Sequence, residues 1–65
     1  MKIDGWKIKK KIRELGLTQQ DLANRIGNSR SNTSLVLNGK SCSQETAEKI
    51  AEAVGLSVDK IILKR

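Results

Sequence analysis

Sixty-five residues suffice for one domain with a modest core. Thirteen Lys and Arg stand against seven Asp and Glu, a net charge of +6, with one cysteine and no histidine or proline. This rules out an internal disulfide and any imidazole-based catalytic pair, and one thiol makes no metal site. The longest apolar run, Ile61-Ile62-Leu63, is far too short to cross a membrane.

Helix signals follow one another along the chain. Asp4 can N-cap a helix from about Gly5 to Leu15, with Ile8, Ile12 and Leu15 at i, i+4 and i+7. Gly16 suits the left-handed position that ends it. Thr18, with Asp21 three residues on, gives a capping-box start to a second helix whose inner face is Leu22, Ala23 and Ile26. Gly27 ends it. Ser29 is the next N-cap, and Thr33, Val36 and Leu37 share one face of a third helix that stops at Asn38-Gly39. Ser43 caps a fourth helix with a stripe of Ala47, Ile50, Ala51 and Val54, ended by Gly55. Ser57 caps a short last helix with Val58, Ile61 and Ile62 inward. Only Met1–Ile3 could be extended. The expectation is an all-α fold of five short helices with tight connections, forming a single domain over residues 1–65.

Charge is unevenly placed. Residues 1–40 hold nine Lys/Arg (positions 2, 7, 9, 10, 11, 13, 25, 30 and 40) against three acids (Asp4, Glu14 and Asp21), whereas residues 41–65 balance at four and four. One basic end suits a polyanion-binding module, although a solvated basic face would carry the same charge. The carboxylates Glu45, Glu48 and Glu52 fall opposite the apolar stripe of their helix and read as surface, not as an acid/base pair. No enzyme activity and no cofactor are expected.

The informative stretch is residues 19–38, QQDLANRIGNSRSNTSLVLN. Two helices meet across a tight turn at Gly27, with Ala23 small where they cross and Leu22, Ile26, Thr33 and Val36 in the angle between them. This pattern resembles the helix-turn-helix of the phage repressor/Cro family, the lambda repressor-like and XRE-like DNA-binding domains. The resemblance extends to Gly16-Leu17-Thr18-Gln19 before it, to Leu37-Asn38-Gly39-Lys40 after it, and to Ser43–Ile61, so that it covers roughly residues 5–63. It implies that Ser29, Arg30, Ser31, Ser34 and Leu35 face base edges in the major groove, and that Gln19, Asn38 and Lys40 hold phosphates. The helical wheel agrees: with Thr33, Val36 and Leu37 inward, positions 30, 31, 34 and 35 point outward. Leu35 then either touches a thymine methyl or, in a rotated helix, packs inside.

Three positions depart from the family pattern. Many members pair an arginine late in helix 1 with a glutamate late in helix 3; here the positions are Ile12 and Leu37, an apolar pair that can replace a buried ion pair at little loss. Asn28 stands where valine is common. Thr33 stands where isoleucine or valine is common, and its hydroxyl can bond a carbonyl one turn earlier.

The resemblance implies a sequence-specific, double-stranded-DNA-binding transcription regulator, Cro-like or repressor-like. Such a protein of a bacterium or phage would be cytoplasmic and would bind a palindromic operator as a homodimer, with no small-molecule ligand. The Lys40–Ser43 loop with Cys42, and the last helix with Leu63, are candidate dimer surfaces. Trp6 lies off the helix 1 stripe, placed either against the C-terminal segment or beside backbone contacts. An antitoxin or protein-interaction role on the same fold is the alternative; a membrane-surface role for Lys7–Lys11 is a third reading, disfavoured because Ile8, Ile12 and Leu15 serve the core.

Overall fold

A computed structural model describes residues 1–63. Five helices appear in the expected order: α1 (Gly5–Glu14), α2 (Gln19–Ile26), α3 (Arg30–Leu37), α4 (Gln44–Val54) and α5 (Val58–Ile61). Each begins where a short polar side chain can satisfy an orphan backbone N–H. Asp4 accepts from Lys7 N, Thr18 from Asp21 N, Ser29 from Asn32 N and Ser43 from Thr46 N. The Thr18–Asp21 capping box is complete, because the Asp21 carboxylate accepts from Thr18 N at 2.9 Å. That hydrogen bond, chiefly, holds the Asp21 carboxyl below its ordinary pKa. The capping box therefore contributes stability above the unfolded-state carboxyl pKa and loses it as pH falls through the folded-state value. Ser57 precedes α5 as expected, but its side chain makes no capping bond.

The core gathers residues from all five helices. Ile8, Leu22, Ile50 and Ile61 are fully enclosed, and Ile12, Ile26, Val36, Leu37, Ala51 and Val54 join them. Thr33 is the buried polar residue of the described core, and its hydroxyl donates to the Ser29 carbonyl at 2.8 Å, so its burial leaves no unmet donor. Leu15 departs from the inward position assigned to it: it is 49% exposed. It is the C-cap of α1, and the chain turns there into Gly16 at φ +75°, so the helical period no longer aims its side chain inward. Leu17, two residues on, packs against the core instead. Val58 and Ile62 are half-buried rather than enclosed, and Ile61 alone carries the inner face of α5.

The extended N-terminus has a structural role. Ile3 is buried and pairs antiparallel with Ile62, with Asp4 N donating to Ile61 O at 2.6 Å and Leu63 N to Lys2 O at 3.0 Å. On its other edge, Cys42 N donates to Met1 O at 2.7 Å. The segment thus ties the loop before α4 to the chain after α5. Burial pushes the Cys42 thiol up from its ordinary pKa, so at neutral pH it is a protonated, partly enclosed small hydrophobe.

Gly5 is buried where α1 packs against the end of α3. A Cβ built there would overlap the carbonyl of Leu37, backbone against backbone. No helix among the described residues is long and apolar enough to cross a membrane.

Candidate nucleic-acid interface

The turn between α2 and α3 fixes how α3 is presented. Gly27 ends α2 at φ +70°, a left-handed conformation that costs glycine little. Asn28, half-buried, accepts from Ser29 N at 2.9 Å through its side-chain oxygen, which shapes the step into the next helix. Ser29 then caps α3 and its carbonyl receives the Thr33 hydroxyl, so one residue anchors both ends of the first turn.

With Thr33, Val36 and Leu37 buried, the rotation of α3 is set. Ser29, Arg30, Ser31 and Leu35 are exposed and Ser34 is half-exposed, all on the outer face. Leu35 stands 52% exposed, which excludes the rotated helix that would pack it inside. The first turn of α3 carries no acid, so nothing on the helix offsets the positive end of its dipole.

Of the three residues assigned to phosphates, Asn38 and Lys40 are tied by hydrogen bonds to side chains of α3, whereas Gln19 shares a recess with residues of α1. Gln19, half-buried, opens α2, while Asn38 and Lys40 are exposed beyond the end of α3. Asn38 donates to Ser34 Oγ at 3.4 Å and accepts from Lys9 Nζ at 2.7 Å. Lys40 Nζ donates to Asn32 Oδ1 at 3.4 Å. Helix α1 therefore reaches these residues, a feature the sequence reading missed. Lys9 and Arg13 share a recess of about 300 Å3 with Gln19 and Leu17. Their i, i+4 spacing puts them on one face of α1. Trp6, one turn before Lys9, is 74% exposed, so its ring is not enclosed among the described residues.

A small outward polar face on a short helix, held at a fixed angle to a second helix and rimmed by basic and amide side chains, is the geometry of a groove-reading helix pair. A family model described as helix-turn-helix matches residues 8–61. The chain belongs to this helix-turn-helix family, of the Cro/C1 type. Helix-turn-helix proteins of this type are DNA-binding transcription regulators, and DNA is the partner that the fold supports. Comparison with curated proteins returns no match. The family match begins after the N-terminal extended segment, so the Ile3–Ile62 pairing lies at and beyond its edges.

Proposed function

We propose that this helix-turn-helix protein is a sequence-specific regulator, Cro-like or repressor-like, which lays α3 in the major groove and binds a palindromic operator as a homodimer. The observation that carries this reading is the outer face of α3: Arg30, Ser31, Ser34 and Leu35 stand free of the core. Beside them run Gln19, Asn38 and Lys40 as phosphate contacts. A single copy has too little surface for more than one half-site, which is why two copies on a symmetric site are proposed.

Arg30 lies in the first turn of α3, and its planar guanidinium matches O6 and N7 of guanine. Leu35, further along the same face, can read only shape or a thymine methyl. Selection of bound sites from random duplexes tests both. Arg30→Ala is expected to relax preference at one guanine per half-site, at a cost of roughly 1–3 kcal/mol. Leu35→Ala is expected to weaken preference for a thymine nearer the operator centre. A uniform loss of affinity in Arg30→Ala, with the preferred sequence intact, would move Arg30 to the phosphates. If both variants bind the original site like the parent, α3 does not read DNA, and the protein-interaction or antitoxin alternative takes its place.

The phosphate rim makes its own prediction. Log K should fall linearly with log salt, and Lys9→Gln or Arg13→Gln should each lower the slope by about one if α1 touches the backbone. Lys49→Gln, on the exposed face of α4, is the control and should leave the slope near that of the parent. Equal slopes in all variants would confine the backbone contacts to α2, α3 and the loop after it.

A further inference from the structure

The positive charge of residues 1–40 is not all directed at the α3 side. Lys7, Lys10 and Lys11, with Lys60 of α5, surround a separate recess of about 280 Å3 between α1 and α5, with Leu56 in its lining. Among the residues lining it, Glu14 supplies the one carboxylate. Helix α5 packs on α1 and α4 and makes no contact with α2 or α3, and no residue of α2 or α3 lines this recess. Lys7 Nζ donates to the Lys60 carbonyl at 2.9 Å, which ties α1 to α5 and holds this wall of the recess together. Leu56 is half-buried against the core and supplies the apolar part of the lining.

We infer that this recess is a docking site for an acidic protein segment carrying an apolar side chain. Charge complementarity selects carboxylates: four lysines and one glutamate line the recess, and the mutual repulsion of the lysines falls when an anionic partner sits among them. The aliphatic lysine stems and Leu56 select the apolar anchor, since a side chain set between them leaves water while the ammonium groups stay at the edge. A nucleic-acid backbone would use the charges but leave the apolar part of the lining uncovered. The segment can engage the free protein, so the site does not depend on the proposed function. Only its use while DNA is bound rests on that reading.

A ten-residue synthetic peptide of aspartate and glutamate with two central leucines is the probe, titrated into isotope-labelled protein and followed by amide chemical shifts. The shifts are expected to concentrate in residues 7–14 and 56–60 and to spare α3. Replacing the two leucines by serine should weaken binding by roughly tenfold or more, the worth of burying an apolar side chain. Lys10→Glu with Lys60→Glu, both exposed, should abolish binding while the circular dichroism spectrum stays that of the parent. Equal binding of the serine peptide overturns the apolar anchor and with it the site, as does a peptide that shifts no amides. If duplex DNA shifts these same amides and the double variant loses DNA affinity in proportion, the recess is part of the DNA interface and the proposal fails. Failure of the proposed function would appear separately, as a parent protein that selects no duplex yet still binds the peptide.

Discussion

Gly5→Ala is expected to destabilise the protein by about 1–3 kcal/mol or more, against the sign that helix propensity gives. Gly5 is the first residue of α1, where exchanging glycine for alanine ordinarily gains a few tenths to one kcal/mol, roughly, by restricting the unfolded chain. Here the added methyl would enter the carbonyl of Leu37. The obstacle is backbone, not the end of a flexible side chain, so relief requires α1 and α3 to separate. Both helices carry core residues, Ile8 and Ile12 on one and Val36 and Leu37 on the other, and separation loosens the packing of all four. A domain of this length is stable by only about 3–10 kcal/mol, so the loss should be plain in a urea transition followed by circular dichroism. The midpoint is expected to fall. A midpoint equal to or above that of the parent would mean that α1 can shift away from Leu37 at no cost, and that its approach to α3 is not tightly set.

Gly5 also shows where sequence reading stops. Its neighbour Asp4 announced a helix start, and the caps at Thr18, Ser29 and Ser43 were equally legible, because capping is local chemistry with a fixed spacing. The inner faces of α2, α3 and α4 followed from periodicity for the same reason, and the outer face of α3 followed from its inner one. What periodicity could not give was the identity of neighbours. That Gly5 meets Leu37, that Lys9 reaches Asn38, and that Lys7 reaches the Lys60 carbonyl are facts about pairs of residues 32, 29 and 53 positions apart, and no local pattern encodes them. Leu15 failed at a boundary: the stripe of α1 was carried one residue past the point where the helix turns. The Ile3–Ile62 pairing was invisible for a third reason. One bridge needs no alternating pattern, and the burial of Ile3 comes from its tertiary position.

The largest single effect is expected at Leu37. The family pattern often places a glutamate here opposite an arginine at the position of Ile12, and in this chain both are apolar and buried, with 4% exposure each. Leu37→Glu alone puts a carboxylate into the core with no cation to meet it, for a loss of about 3–5 kcal/mol, which is most of the stability of a small domain. Its place in the last turn of α3 adds to the cost, since the carbonyl end of the helix dipole repels a negative charge. The sign of the pH dependence follows from burial. The introduced carboxyl has its folded-state pKa raised above the unfolded value, so the variant is most stable below that value and loses stability as pH rises through it. Part of the loss should therefore disappear at about pH 4, near the ordinary glutamate pKa. Adding Ile12→Arg should recover part of the loss at neutral pH, and recover less in acid, because only an ionised carboxylate attracts the guanidinium. The measurement is a double-mutant cycle by denaturant unfolding at two pH values. Coupling that is favourable at neutral pH and shrinks in acid confirms that positions 12 and 37 form one buried pair. A Leu37→Glu protein as stable as the parent without its partner would instead place the end of α3 in water, and the register assigned to the recognition helix would fall with it.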